Sequence, residues 1–323
     1  MKAYRIVSFE AEPQIEDIEA PVPGQGECLI EIAACGLNFA DLLMVKGTYQ
    51  DTPATPFTLG IEVAGTVRGL GQGVTYPAIG SRVSVFSSSG GLAEFGCFPA
   101  AMCLPIPDEM PFTDAAGFSI AYGTSHLALD HKAHLQSGER LLVLGAAGGV
   151  GLTAVELGAR MGAEVIACAR GPEKLAVAKA AGATHLIDST SADLRTEVKA
   201  LGGADVVYDA VGGDQFLAAL RATNPEGRIL TIGYASGDIP QIPANLLLVK
   251  NISVIGLYWG GYIRFAPKVL INSLNTLFAW YREGGISPHI GAVFPFAKTG
   301  EALAFLKARK STGKVVVQIT PKG

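Results

Sequence analysis

Four apolar residues that end abruptly in a run of small ones constrain this chain more than any other stretch: Leu141-Leu142-Val143-Leu144-Gly145-Ala146-Ala147-Gly148-Gly149-Val150-Gly151. An alanine-containing apolar segment follows from Leu152 to about Met161, and then a second short apolar run, Glu164 to Ala169. The spacing predicts strand, tight turn, helix and strand, which is a parallel βαβ unit. In such a turn the lack of bulky side chains lets backbone N–H groups approach a phosphate. The helix N-terminus beyond adds partial positive charge. Set against the fingerprint G-x-G-x-x-G, Ala146 takes the first glycine's place, and Gly148 and Gly151 fill the other two. Any tight strand-to-helix connection favours glycine, but here both strands and the helix are readable around it. The motif therefore points to a dinucleotide pyrophosphate against Ala147, Gly148, Gly149, Val150 and Gly151, and with it to redox chemistry.

Length and composition bound the rest. The chain has 323 residues, of which 49% are hydrophobic; that suits about two domains with sizeable cores. The net charge of −4 argues against a nucleic-acid or anionic-membrane partner. No apolar run approaches the roughly 18 residues that span a bilayer. The N-terminal Met1-Lys2-Ala3-Tyr4-Arg5-Ile6-Val7 reads as a first strand rather than a signal peptide. The five cysteines, Cys28, Cys35, Cys97, Cys103 and Cys168, are scattered, odd in number and form no C-x-x-C pair. A reducing, cytoplasmic location fits them.

The grammar changes along the chain. Residues 1 to about 115 are rich in short strands and turns, with strand candidates at Cys28–Ala34, Gly60–Val67 and Arg82–Phe86. Pro105, Pro107 and Pro111 break the chain, and a helical segment begins near Thr113. From about 118 to 258 strands and helices alternate. Strands are predicted at Leu141–Leu144, Val165–Ala169, His185–Ile187, Val206–Asp209, Ile229–Ile232 and Ser253–Leu257, and helices at Gly151–Met161, Pro172–Ala181, Asp193–Leu201 and Asp214–Thr223. This is an α/β fold, a doubly wound parallel sheet preceded by a β-rich domain. After about 260 come helices at Pro267–Arg282 and Lys298–Lys310 and a final strand, Lys314–Ile319. That strand has no partner in an already complete sheet, so a return to the first domain is expected.

These residues resemble a known family, the medium-chain dehydrogenase/reductase superfamily, and within it the zinc-free quinone oxidoreductase branch that includes zeta-crystallin. The resemblance is carried by Gly36-Leu37-Asn38-Phe39-Ala40-Asp41, by Ala146-Ala147-Gly148-Gly149-Val150-Gly151, and by Asp205-Val206-Val207-Tyr208-Asp209-Ala210-Val211-Gly212-Gly213. Further matches are Gly233-Tyr234-Ala235-Ser236-Gly237, Lys250-Asn251-Ile252-Ser253, Leu257-Tyr258-Trp259-Gly260 and Ser311-Thr312-Gly313-Lys314. It runs nearly end to end. It implies a discontinuous GroES-like catalytic domain (1–117 and 259–323), a Rossmann domain (118–258), a cleft between them, and a homodimer paired through the last Rossmann strand near Ser253–Leu257. The family's Gly-Asp-Arg-Val turn stands here as Gly80-Ser81-Arg82-Val83, a departure that puts one loop contact in doubt.

A catalytic zinc needs three protein ligands drawn from Cys, His or acidic groups. In the zinc-dependent relatives a cysteine stands where this chain has Asn38, and their Gly-His-Glu corresponds to Gly60-Ile61-Glu62. An amide and a hydrocarbon hold no zinc, and Glu62 reads as a structural carboxylate. Cys97 and Cys103 do not make the four-cysteine structural site. His131 and His134 lack a clustered thiolate or carboxylate partner and read as a solvated helix end. No metal is expected, and no Ser-Tyr-x-x-x-Lys proton relay is present.

The nicotinamide cofactor is chosen about 20 residues past the glycines, where an Asp or Glu would bind the ribose 2′-OH. Arg170 stands there, with Lys174 one helical turn on. An acid would repel a 2′-phosphate, whereas a guanidinium makes a charge-assisted fork to it, so NADPH is expected. Ser189, after the third strand, offers a hydroxyl. The resemblance also implies cofactor contacts for Asn38, beside the nicotinamide, for Thr124, and for Lys314, reaching a phosphate. Gly233, Tyr234, Ala235, Ser236, Leu257, Tyr258 and Trp259 would line the nicotinamide pocket, with Tyr258 and Trp259 equally suited to be ordinary core or interface aromatics. Asn38 and Tyr49 are the catalytic candidates, Asn38 as a donor near the reacting atom and Tyr49 as a phenol facing the substrate carbonyl. Plainer readings stand beside these: a helix N-cap for Asn38, a half-buried aromatic for Tyr49, and an exposed strand start for Lys314.

The hydroquinone anion or enolate left by hydride delivery is stabilised by delocalisation and can take its proton from water, so no strong general acid is required. The expected activity is NADPH-dependent reduction of quinones or other conjugated carbonyls. Alternatives are a 2-enoyl-thioester reductase, for which Arg264 and Lys268 would be the cationic patch, and a non-catalytic cofactor-binding or structural role.

Overall fold

A computed structural model describes residues 1–320. The chain forms two compact units, Met1–Ile120 joined by the segment from Pro288 onward, and Ala121–Ser287.

The first unit is organised by one long strand, Glu27–Leu37. Its residues alternate, and Cys28, Ile30 and Ile32 point into the core with Val63, Val83, Val85, Val315 and Val317. One edge pairs antiparallel with Glu62–Leu70, which continues the sheet through Arg82–Phe86 to Cys103–Pro105. The other edge is shared: Phe95–Pro99 pairs with its first half, and Lys314–Gln318 with Ala34–Leu37 at its end. Ile290–Pro295 lies parallel beyond Lys314–Gln318. A second small sheet joins Gln14–Asp17, Lys2–Ile6 and Phe57–Thr58. At the turn departing from the family pattern, the Arg82 guanidinium donates to the carbonyls of Pro107, Asp108 and Met110 and lies over the Phe112 ring.

In the second unit six strands run parallel in the order His185–Asp188, Glu164–Ala169, Arg140–Leu144, Ala204–Asp209, Thr223–Thr231, Ser253–Gly256. Leu141, Leu142, Val143 and Leu144 are all fully buried, as a central strand covered on both faces requires. Because the strand Arg140–Leu144 sits where the order reverses, the glycine turn that follows it opens at the switch point of the sheet. No helix among the described residues is long and apolar enough to cross a membrane.

One boundary differs from the sequence reading. Residues 259–287, expected with the GroES-like domain, belong to the second unit. The helix Pro267–Arg282 buries Leu270, Leu274, Leu277 and Phe278. Ser273 Oγ meets His126 Nδ1 at 2.9 Å, and the Arg160 guanidinium lies 4.7 Å over the Trp280 ring while pairing with Glu283. An amphipathic pattern announces that a face is buried, not what it is buried against.

The strand Glu27–Leu37 passes the helix Phe112–Ala116 so closely that a Cβ on Gly36 would collide with the Ala116 carbonyl. Gly36→Ala is therefore expected to destabilise the fold by on the order of 3 kcal/mol, read as a lower denaturant midpoint with an unchanged slope.

Candidate cofactor and active site

The turn after Leu144 is built by its glycines. Gly145 takes φ of +71°, and a Cβ on Gly151 would collide with the Gly145 carbonyl. Ala146 is tolerated at the first fingerprint position because its N–H continues the sheet, donating to the Cys168 carbonyl at 3.0 Å. Gly148 is the N-cap of the helix Gly149–Arg160 and brings no side chain to cap it. The first intrahelical N–H, of Leu152, reaches the Gly148 carbonyl at 2.8 Å. The amides of Gly149, Val150 and Gly151 precede it, without an acceptor one turn back. A cradle closed to any Cβ at Gly151, with uncapped amides at its rim, fits a dinucleotide phosphate.

A buried hydroxyl network, not singled out in the sequence, holds that first turn. Ser125 Oγ donates to the Val150 carbonyl at 2.9 Å and lies 2.8 Å from Thr153 Oγ1 and 3.0 Å from the Tyr208 hydroxyl. Thr153 Oγ1 reaches the Ala121 carbonyl at 3.1 Å. Burial pushes the Tyr208 phenol well above its ordinary value, so it stays a neutral member of the network. The sequence carries no local signal for this network, because Ser125, Thr153 and Tyr208 lie on three separate elements. Thr124, buried beside Ser125, shares this helix. Gly123 in turn leaves room for the Trp259 indole, whose Nε1 would stand 2.6 Å from a Cβ there.

The strand ends carry the remaining cofactor candidates. Arg170 is exposed at the N-cap of the helix Gly171–Ala180, with Lys174 in its first turn. Ser189 N–H donates to the Ala169 carbonyl at 3.0 Å, so Ser189 lies against the end of the same strand. Asp188, overlooked in the sequence, organises this corner: its Oδ1 accepts from Gly171 N–H at 3.1 Å and from the Thr190 N–H and hydroxyl at 3.0 and 2.8 Å. Those bonds hold its carboxyl below the usual range. At the next strand ends, Ala235 and Ser236 N–H donate to the Ala210 and Val211 carbonyls at 3.1 and 2.9 Å. This sets Gly233, Tyr234, Ala235 and Ser236 beside the Asp209–Gly212 loop, whose amides the buried Asp209 carboxylate gathers. Leu257 N–H donates to the Thr231 carbonyl at 3.3 Å, and Trp259 is buried two residues on. Tyr258 lies between them, half-buried.

In the first unit three residues far apart in sequence meet. Lys314 Nζ donates to Glu62 Oε2 at 2.9 Å and to Asn38 Oδ1 at 2.7 Å. Asn38 Nδ2 donates to Glu62 Oε2 at 3.1 Å and to the Gly36 carbonyl at 3.2 Å. Glu62 Oε1 accepts from Ile120 N–H at 2.8 Å. Glu62 is fully buried and Lys314 nearly so, which removes the exposed strand-start reading of Lys314. The donor role expected for Asn38 also changes, since both of its amide hydrogens are engaged. Asn38 keeps one Oδ1 lone pair, and Lys314 keeps one N–H. As an N-cap, Asn38 opens the helix Phe39–Met44 through its backbone, where its N–H donates to Asp41 Oδ2 at 2.7 Å. Ile61 is buried in the core. Tyr49 lies in the turn after that helix, packed partly on the core, and its carbonyl accepts from the Thr52 hydroxyl at 2.6 Å. His131 and His134 are exposed, His131 edge-on to the Tyr262 ring at 5.9 Å between centroids.

Comparison with known proteins bears on both units. Residues 24–108 match the alcohol dehydrogenase GroES-like domain, and residues 149–275 the family model described as zinc-binding dehydrogenase. A quinone oxidoreductase-like protein 2 homolog of Nematostella vectensis is 42% identical over 98% of this chain and 89% of its own. The solved quinone oxidoreductase of Thermus thermophilus, determined also as its NADPH complex, is 33% identical with a TM-score of 0.87, over 99% of this chain and all of that one, 100%. The Escherichia coli quinone oxidoreductase complexed with NADPH has a TM-score of 0.90 at 26% identity, over 99% and 100% of the two chains. The chain belongs to the quinone oxidoreductase branch of the medium-chain dehydrogenase/reductase superfamily. Its first unit is the GroES-like domain of that superfamily and its second the Rossmann domain.

Within the GroES-like domain one group has an unusual charge state. Asp41 is fully buried, and burial, with the Glu62 charge adding to it, pushes its carboxyl to about 7 against the opposing pull of Asn38 N–H and Lys314. The folded protein thus holds a proton that the unfolded chain releases near 4. Stability from this group is fullest below that value and is lost as pH rises toward 7. Asp41→Asn is expected to remove up to roughly 1 kcal/mol per pH unit of that slope, read by denaturant unfolding of both proteins across the window. Parallel profiles for the two proteins would contradict the assignment.

Proposed function

We propose that this protein is an NADPH-dependent reductase of quinones or other conjugated carbonyl acceptors that works without a metal. The observation that carries the metal-free reading is the Lys314–Glu62–Asn38 cluster. An ammonium, a carboxylate and an amide satisfy one another at the position where the zinc-dependent relatives place their ligands. The NADPH complexes of the Thermus and Escherichia relatives support the cofactor. So do Arg170 and Lys174, the cationic pair at the position that selects the 2′ substituent.

When bound, the nicotinamide supplies the hydride. The amides of Gly149, Val150 and Gly151 hold the pyrophosphate, with Ala147 and Gly148 shaping the turn. Arg170 and Lys174 take the 2′-phosphate, and Ser189 adds a hydroxyl there. Thr124, Gly233, Tyr234, Ala235, Ser236, Leu257, Tyr258 and Trp259 shape the nicotinamide end. Asn38 is a fixed neighbour of the reacting end, held by its two engaged donors rather than acting through them. Lys314 offers its one remaining N–H and its charge to a cofactor phosphate. Tyr49 faces the acceptor carbonyl. The reduced acceptor, a mono-anion stabilised by delocalisation after it takes the hydride, gains one proton from water. The edge strand Ser253–Gly256, half exposed, is the surface through which a homodimer pairs.

Assays with 1,4-benzoquinone, naphthoquinones, enones and enoyl-CoA esters test this. NADPH consumption is expected with quinones or enones, unchanged by a chelator. Tight NADPH binding with no turnover on any acceptor would leave the non-catalytic role, and turnover confined to enoyl-CoA esters the thioester-reductase reading. Arg170→Glu is expected to shift the NADPH-to-NADH preference in kcat/KM by about tenfold to a hundredfold toward NADH. A wild type that already uses the two cofactors equally would overturn the role given to Arg170.

A further inference from the structure

A cationic groove lies on the Rossmann unit at the end of the sheet remote from the glycine turn. The strands are parallel, the turn follows the last residue of Arg140–Leu144, and the groove opens where Ala204–Asp209 and Thr223–Thr231 begin. Its volume is about 610 Å³, and Arg195, Lys199, Arg221 and Lys250 line it together with Asn224 and Thr223. Arg195 and Lys199 stand one turn apart on the helix Leu194–Ala200, so they share a face.

Two of these cations have a structural task. Lys250 Nζ donates to the Leu220 and Arg221 carbonyls at 3.0 and 3.1 Å, and Arg221 Nη1 to the Leu217 carbonyl at 3.1 Å. They close the C-terminus of the helix Gly213–Ala222, where cations are favoured. That task does not account for Arg195 and Lys199, whose side chains make no hydrogen bond or ion pair among the described residues. Nor does a nearby acid form an ion pair with any of the four among the described residues. Asp205 accepts from Arg140 N–H at 2.8 Å and Asn224 Nδ2 at 2.7 Å. Asp193, whose carboxylate feels the Arg195 charge, is engaged as the N-cap of its helix by Arg195 and Thr196 N–H. Glu197 stands two residues from both cations, off their shared face. Burial, with the repulsion of Lys199 and Arg195, holds the Lys250 ammonium below the usual lysine range. Four like charges are thus gathered in a chain whose net charge is −4.

We propose that this groove is a second anion site, distinct from the cofactor site, which binds a phosphoryl group bearing two or more negative charges. Two guanidinium and two ammonium groups line the groove, the chemistry that recognises phosphoryl groups, and the volume admits a small phosphorylated molecule. A free phosphate ester and the headgroup of an acidic lipid share this chemistry.

The test uses the full chain with saturating NADPH, so that pyrophosphate does not read out the cofactor site. Inorganic pyrophosphate is titrated by calorimetry at constant ionic strength, and in parallel the protein is sedimented with phosphatidylcholine vesicles with and without phosphatidic acid. Arg195→Gln/Lys199→Gln removes the two cations that have no structural bond, and Lys307→Gln/Lys310→Gln is the exposed control. The proposal expects saturable binding in at least one arm, weakened at least about tenfold in the groove variant and unchanged in the control. Binding should also fall as salt rises. Binding of pyrophosphate alone identifies a soluble ligand, and binding of acidic vesicles alone a lipid headgroup. Absence of binding in both arms overturns the proposal, as does equal binding by the groove variant. NADPH affinity, measured on the same variants, reports separately on the cofactor reading.

Discussion

The buried pair between Lys314 and Glu62 is the interaction on which the GroES-like unit turns. Each charge without the other would be an uncompensated ion in the core, at a cost of about 3–5 kcal/mol. The two residues lie 252 positions apart. Satisfying them requires the chain to cross from Ile120 into the second unit, traverse all of it, and return at Pro288 so that Lys314–Gln318 completes the edge of Glu27–Leu37. The same pair, with the Gly36 carbonyl, fixes both ends of the Asn38 amide. Burial beside it keeps Asp41 protonated to unusually high pH. Architecture, side-chain orientation and protonation in this unit are therefore one electrostatic problem with one solution.

The Rossmann unit solves a different problem, how to present bare amides without losing rigidity. Gly148 leaves the helix N-terminus uncapped, and glycine at 151 lets the turn close on Gly145. Flexibility of that sort would cost order elsewhere. The Ser125–Thr153–Tyr208 hydroxyls compensate by bonding the first turn of the helix to the preceding helix and to a central strand. Asp188 and Asp209 do the same for neighbouring strand ends, each gathering the amides of its own loop. The polar residues at the rim of this sheet thus set loop shape.

Legibility in the sequence followed the range of the interaction. The helix Pro267–Arg282 and the strand Arg82–Phe86 were read to the residue, because periodicity and a flanking breaker define them locally. The strand Thr223–Thr231 was read only from Ile229, since Pro225 and Gly227 disguise its first half. Residues 259–287 cluster with the second unit, which their sequence does not announce because an apolar face carries no address. The turn at Gly148 and Gly151 is legible because its demand is steric and local. Asp188, Ser125 and Tyr208 are not, because their roles exist only once strands that are distant in sequence lie side by side.

By itself, then, the sequence determined the βαβ unit and its glycine turn, the basic Arg170 at the end of the next strand, and the uncharged Asn38 and Ile61. These are statements about residue type at a position, fixed by short-range sterics and charge. Only the tertiary structure decided what Asn38 does with its amide, that Lys314 is buried, and that Arg195, Lys199, Arg221 and Lys250 share one groove. Burial and the convergence of distant charges are properties of the packed chain, and hydrogen-bond capacity is counted only when every partner is in place.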